Sequence, residues 1–342
     1  MKTISFVPFA VYTFVLLIST QAVGAQLISG AGASFPYPLY SKWFSEYRHV
    51  DKSVKINYQS IGSGGGIRQF LKGTTDFGAS DAPMKDKELA KSKQPILHIP
   101  TTMGAVAVTY NIPGVKTSLK LTPDVLAQIF MGKIKTWNDP AIANLNPQVK
   151  LPEKQYIVVA RRSDGSGTTY IFTDYLSKIS SAWKEKIGTG KSVKWPTGLG
   201  AKGNEGVTGL VKNNPGAIGY VELTYALSNQ LPVVALKNKA GKFVVPSVSS
   251  VSAAADGQLK ELPSDFRASI TNASGQNAYP VAAFTYLLVH QHMPKEKGQK
   301  LVQFLKWAMA DGQKMAPALM YAPLPKSLIS KVMKKVEGIS FK

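Results

Sequence analysis

The stretch that decides how this chain folds is Arg162-Ser163-Asp164-Gly165-Ser166-Gly167-Thr168-Thr169. Upstream, Tyr156-Ile157-Val158-Val159-Ala160 is a near-continuous apolar run, as a strand buried on both faces requires. Downstream, Tyr170 to Leu176 reads as a helix. Strand, glycine-rich turn and helix in this order point to an α/β architecture. The turn itself should sit at the helix N-terminus. There the first backbone N–H groups lack intrahelical partners, and the helix dipole adds about half a positive charge. Glycine lets a ligand approach those amides, and the Ser and Thr hydroxyls add donors. Such a turn is suited to hold an anion.

Two other stretches follow the same plan. Ser29-Gly30-Ala31-Gly32-Ala33-Ser34-Phe35 carries almost no side chain until its end, and Pro36 can then open a helix running to about Arg48. Ser34 would present its hydroxyl and amide there. Phe35 would present its amide while its ring packs behind. Gly62-Ser63-Gly64-Gly65-Gly66 precedes a short helix expected at Ile67 to Leu71. One Gly-Ser turn is an ordinary helix cap; three of them, each before a helix, suggest a shared purpose. Arg162 can offer a planar fork to an oxyanion. Asp81 ends Asp76-Phe77-Gly78-Ala79-Ser80-Asp81, a stretch with the look of a strand terminus.

Elsewhere strands and helices alternate. Val54–Tyr58, Ile96–Pro100, Val106–Tyr110 and Gly216–Val221 read as strands. Thr122-Pro123-Asp124 starts a helix that should stop at Gly132. Leu301, Val302, Leu305, Ala308 and Met309 share one helix face. No Ser-, Gly- or Pro-rich linker separates two halves, and no repeat is apparent.

Totals bound the function. Lys2, a short apolar run from Phe9 to Ile18 and Val23-Gly24-Ala25 fit a signal peptide over residues 1–25, cut before Gln26. The remaining 317 of 342 residues are enough for two domains. There is no cysteine, which excludes disulfides, thiolate metal sites, a cysteine nucleophile and a lipid-modified cysteine anchor. The expected product is therefore a freely diffusing periplasmic protein. Lys and Arg number 41 against 20 Asp and Glu, a formal charge of +21. The basic residues are scattered rather than stacked in runs, so nucleic acid is not an expected partner.

The segments "GAGASFPYPLYSKW", "NYQSIGSGGGIRQ", "DFGASDAP", "GKIKTWNDPAI", "RRSDGSGTTYIFTDYL", "VKWPTGLGAKGNEG" and "NPGAIGYVE" together resemble the periplasmic phosphate-binding proteins that feed ABC-type phosphate importers. The likeness covers essentially the whole chain after the signal peptide. It implies a two-lobe periplasmic-binding-protein fold of type II, with the ligand cleft between lobes joined by crossing strands. Lobe 1 would comprise residues 26–103 and 285–342, and lobe 2 residues 104–284. The implied phosphate ligands are Ser34, Phe35, Ser63 and Asp81 from lobe 1, and Arg162, Ser166, Gly167 and Thr168 from lobe 2. Asp164 would hold Arg162 in place. The implied partners are inorganic phosphate and the inner-membrane permease subunits, with no cofactor, no metal and a monomeric chain. Gly64 stands where many members carry Ser, and the surplus positive charge is unusual for the family.

Asp81 fits an anion site if the ligand still bears a proton, whose hydrogen bond a carboxylate accepts. Sulfate has no such proton and would meet a like charge, so selectivity would come from repulsion. Two other functions stay open on sequence grounds. A secreted phosphate-ester hydrolase would need a nucleophile with a base, or a metal; His290 and His292 are the nearest to a metal motif and lack a nearby acidic cluster. A surface adhesion protein would use the basic face. A P-loop is excluded, because Gly188-Thr189-Gly190-Lys191-Ser192 is preceded by Glu185 where that motif needs glycine.

Overall fold

The computed structural model describes residues 25–342, with Thr3 alone ahead of them. Thr3 and Ala25 apart, the expected signal peptide lies outside the described residues. Along the chain come strands β1 (Gln26–Gly32), β2 (Val54–Ser60), β3 (Phe77–Ser80), β4 (Ile96–Tyr110), β5 (Lys120–Leu121), β6 (Val158–Arg162), β7 (Leu199–Ala201), β8 (Ala217–Glu222), β9 (Ala235–Lys237), β10 (Phe243–Val244), β11 (Ala282–His290), β12 (His292–Met293) and β13 (Ser340–Phe341). Eight of them form one sheet in the order β2-β1-β3-β11-β4-β8-β6-β7.

Pairing in that sheet changes character along its width. β1 runs parallel to β2 and β3. β6 runs parallel to β7 and β8. Between these flanks, β11 and β4 pair antiparallel with each other and with their outer neighbours β3 and β8. Each flank is thus a βαβαβ unit, and the two are stitched by a pair of long crossing strands. The two-lobe α/β class follows from this layout.

β4 is continuous over 15 residues, although sequence periodicity suggests two strands. Its middle, Thr101 to Ala105, is fully buried and so lacks the polar-apolar alternation that would reveal it. β4 pairs with β11 as far as Ala105 and with β8 from Val106 onward. A register shift between Thr285 and Tyr286 leaves Thr101 as the extra residue of a bulge. The Thr101 hydroxyl is 2.6 Å from that of Tyr40 and 3.2 Å from the Thr285 carbonyl.

Two further boundaries differ from expectation for physical reasons. The strand before the Asp164 loop spans Val158–Arg162 rather than Tyr156–Ala160, and Tyr156 is 68% exposed. Its last two residues are arginines, which read as loop in a sequence; Arg162 is buried nonetheless because its charge is paired. The helix expected at Ile67 begins at Ser63, so Gly64, Gly65 and Gly66 form its first turn. Their low helix propensity is overridden by tertiary contact. A β-carbon on Gly66 would lie 2.4 Å from the Gly32 Cα atom. The first helix, Tyr37–Val50, opens just after Pro36 and buries Leu39, Tyr40, Trp43 and Tyr47.

Candidate anion-binding site

All six parallel strands end on the same cleft. In open α/β sheets, ligands bind beyond the carboxyl ends of the strands, where helix N-termini also gather. Ser34 follows β1, Ser63 follows β2 and Asp81 follows β3. Arg162 ends β6, Asn204 follows β7 and Glu222 ends β8. The flanks meet backbone to backbone. The Gly64 N–H donates to the Gly165 carbonyl at 2.7 Å. Gly62, with φ of 80°, admits no side chain, since its β-carbon would fall 2.2 Å from an Asp164 carboxylate oxygen.

Arg162 is held from three sides. Its Nε donates to Asp164 Oδ1 at 2.7 Å and its Nη2 to Oδ2 at 2.5 Å. Its Nη1 points towards the Thr168 hydroxyl at 3.4 Å, and its backbone N–H donates to the Tyr220 hydroxyl at 3.2 Å. Tyr220 in turn stacks on Phe172, with ring centroids 4.4 Å apart. Burial pushes Asp164 up, but the Arg162 fork outweighs it and holds that carboxyl below its usual range. Asp164 also accepts from the Gly203 N–H at 3.2 Å.

Ser166 caps the Gly167–Ile179 helix, its Oγ accepting from the Thr169 N–H at 3.0 Å. That leaves the Ser166 O–H as a free donor. On the other flank, the Asp81 N–H donates to Ser63 Oγ at 3.2 Å, and the Thr285 hydroxyl donates to Asp81 Oδ1 at 2.8 Å. Asp81 is 3% exposed. Burial pushes its carboxyl up to about 7, against the pull of the Thr285 hydroxyl, the Arg162 charge and the Ser63 hydroxyl. A buried guanidinium from one flank thus acts on a buried carboxyl group from the other. Phe35 is fully buried, edge-on to Tyr321 with centroids 6.3 Å apart. Its carbonyl accepts from the Tyr321 hydroxyl at 2.7 Å. Burying such a ring contributes about 2–3 kcal/mol and pins the chain at the tip of the first helix.

Sequence reasoning missed two buried polar groups here. Asn204 bonds both to Ser34 Oγ and to Thr168 Oγ1, at 2.9 and 3.1 Å, and so joins the two flanks. Glu222 accepts from the Thr224 N–H at 2.9 Å and lies 3.0 Å from the Tyr321 hydroxyl. Burial raises its pKa well above the usual carboxylate range. The available signal was positional: each sits at the carboxyl end of a parallel strand, as the other site residues do. Lys191 of the P-loop-like stretch does a different job, bonding Glu88 through its ammonium at 2.8 and 2.9 Å. Among the described residues, no cluster of His, Asp and Glu could hold a metal ion.

This chain is similar to known proteins along nearly all of its length. A family model described as "PBP superfamily domain" matches residues 19–311. The phosphate-binding protein PstS of Pasteurella multocida is 50% identical over 321 residues, spanning 93% of this chain and 92% of that one. PstS of Methanocaldococcus jannaschii is 44% identical over 329 residues, spanning 88% and 83% respectively. Among solved structures, the fold is similar to that of a phosphate-binding protein from Stenotrophomonas maltophilia, with a TM-score of 0.67 at 20% identity over 90% of this chain and 93% of that one. It is also similar to a high-affinity periplasmic phosphate-binding protein bound with phosphate, with a TM-score of 0.71 at 20% identity over 93% of this chain and all of that one. The curated relatives are named as binding proteins, a non-enzymatic role. With two βαβαβ flanks closing on one polar pocket, and half of its residues shared with such a relative, the chain belongs to the PstS phosphate-binding protein family within the PBP superfamily.

Proposed function

We propose that this protein binds inorganic phosphate with high affinity in the periplasm and delivers it to the inner-membrane subunits of an ABC-type phosphate importer. The observation that carries this is that a buried Arg162 from one flank and a buried Asp81 from the other lie close enough for the Arg162 charge to act on the Asp81 carboxyl. A cation alone would suit any oxyanion. A cation facing a carboxylate suits an oxyanion that keeps a proton, because the carboxylate then accepts a hydrogen bond instead of repelling a like charge. Ser34, Phe35, Ser63 and Asp81 would grip the ligand from residues 26–103 and 285–342. Arg162, Ser166, Gly167 and Thr168 would do so from residues 104–284, with Asp164 orienting Arg162.

Stripping water from the ion costs several kcal/mol, so many donors must converge. Charge-assisted hydrogen bonds contribute about 1.5–3 kcal/mol each, and several of them leave the roughly −8 kcal/mol that micromolar binding needs. Delivery requires the cleft to open and close, a hinge motion about β4 and β11. The chain would act as a monomer after loss of residues 1–25, with its closed form docking on the permease.

Calorimetric titration of residues 26–342 tests this. Well above about pH 7, where Asp81 is ionised, phosphate should bind one to one at micromolar concentration or tighter, and sulfate should compete only weakly. Equal binding of both anions, or no heat with phosphate, would overturn the assignment.

A further inference from the structure

Resting on the phosphate assignment above, we infer that Asn204 is a positioning residue that forces the Ser34 and Thr168 hydroxyls to aim their protons at the bound anion. A hydroxyl has one donor and two acceptor positions. Ser34 Oγ accepts from the Asn204 backbone N–H at 3.1 Å and from Asn204 Nδ2 at 2.9 Å. Both acceptor positions are taken by one residue, and only the O–H remains. Thr168 Oγ1 accepts from Asn204 Nδ2 at 3.1 Å and faces Arg162 Nη1 at 3.4 Å. Neither neighbour can receive a proton from it, so its O–H too is left for the pocket.

The amide cannot be turned the other way round. Asn204 Oδ1 accepts from the Glu222 backbone N–H at 2.9 Å, which commits Nδ2 and its two hydrogens to the two hydroxyls. Asn204 is fully buried, as are both hydroxyl residues, so water does not stand in for these contacts. An unoriented hydroxyl would be as ready to accept as to donate, and an anion is served only by the donor. Asn204 thereby sets the polarity of the site without touching the ligand. Ser34 and Asn204 also come from opposite flanks. The Ser34 donor is therefore fixed only when the cleft is closed, which couples closure to donor alignment.

The test is a double-mutant cycle read by calorimetric titration with inorganic phosphate. Asn204→Ala should weaken phosphate binding by about 10–100-fold, the loss of two aligned charge-assisted donors. In a Ser34→Ala/Thr168→Val background the same substitution should cost no more than about threefold, because the groups it orients are gone. A role confined to holding the fold together would give the same loss in both backgrounds and lower the ligand-free melting temperature in proportion. Equal losses would overturn the inference. Should Asn204→Ala melt before it can be titrated, Asn204→Ser takes its place in the cycle and is judged by the same criterion. Failure of the unaltered protein to bind phosphate would overturn the assignment on which this rests, and the inference with it. Binding by the unaltered protein with additive losses would overturn the inference alone.

Discussion

Gly167 has no room for a β-carbon beside Asp81: the atom would lie 2.4 Å from Asp81 Oδ2 and 2.4 Å from Ser63 Oγ. The two flanks therefore close to the point where one hydrogen atom is all that fits on Gly167. Gly167→Ala should prop the cleft open while leaving each flank intact. The expected outcome is a phosphate affinity lower by about 100-fold or more, since several charge-assisted contacts are lost together. The ligand-free melting temperature should hardly change. X-ray scattering should show that added phosphate no longer compacts the molecule. Full compaction by phosphate would count against tight closure at this point.

Asp81 makes the site sensitive to pH. Its carboxyl is pushed up to about 7 by burial, from an ordinary value of 3.8. The folded, ligand-free protein thus keeps a proton that the unfolded chain releases above about pH 4. Stability from this group is present in full below about pH 4 and is lost as pH rises towards about 7. Asp81→Asn should remove that slope in denaturant titrations. Selectivity should follow the same group. Protonated Asp81 can donate to sulfate, whereas ionised Asp81 repels it, so sulfate affinity should fall by about tenfold per pH unit above about pH 7. In Asp81→Asn it should stay level. A level sulfate profile in the unaltered protein would remove Asp81 from the discrimination.

Much of this site was legible because helix tips announce themselves in sequence. Thr122 and Ser166 both cap the helices that follow them, through the Val125 and Thr169 amides. Gly165 and Gly167 mark where backbone must come close. Asn204 and Glu222 carried no such mark. An Asn in Gly203-Asn204-Glu205-Gly206 looks like surface turn chemistry, and a Glu after Gly219-Tyr220-Val221 looks like a solvated strand end. Their burial rests on long-range contacts, Asn204 with Ser34 and Glu222 with Tyr321. The continuity of β4 was hidden for a related reason, since strands covered on both faces lose their alternation.

Lys191 and Glu88 form a tie across the cleft mouth. The ammonium lies 2.8 Å from the Glu88 carboxylate, with the two side chains 17% and 20% exposed. Glu88 belongs to the expected first lobe and Lys191 to the second. The Lys191 charge, together with the Lys85 backbone N–H, holds the Glu88 carboxyl below its usual range against the opposing effect of burial. Partly screened pairs of this kind contribute about 0.2–1 kcal/mol. Lys191→Met should therefore weaken phosphate binding by about two- to fivefold at low salt. The difference should shrink at about 1 M salt, where the Debye length is about 3 Å. A loss that does not depend on salt would point to packing rather than charge.

Glu222 and Tyr321 settle a proton by counting. The Tyr321 hydroxyl lies 2.7 Å from the Phe35 carbonyl oxygen and 3.0 Å from Glu222 Oε2. The phenol has one hydrogen and a carbonyl has none, so that hydrogen belongs to the Phe35 bond. The second contact is attractive only if Glu222 brings its own proton. Burial demands the same, for Glu222 is fully buried and its Oε1 has no partner among the described residues. Folding therefore retains a proton that the unfolded chain gives up above the ordinary value of 4.5. The stability from Glu222 is present in full below the ordinary carboxylate value and is lost as pH rises through its raised folded value. Glu222→Gln keeps a neutral group that can donate to Tyr321 and should flatten the fall of stability as pH rises above the ordinary carboxylate value of 4.5. Denaturant titrations of the ligand-free protein across that range check it. An unchanged slope in Glu222→Gln would mean that Glu222 is ionised in the fold, and that the Tyr321 proton goes to it instead of to Phe35.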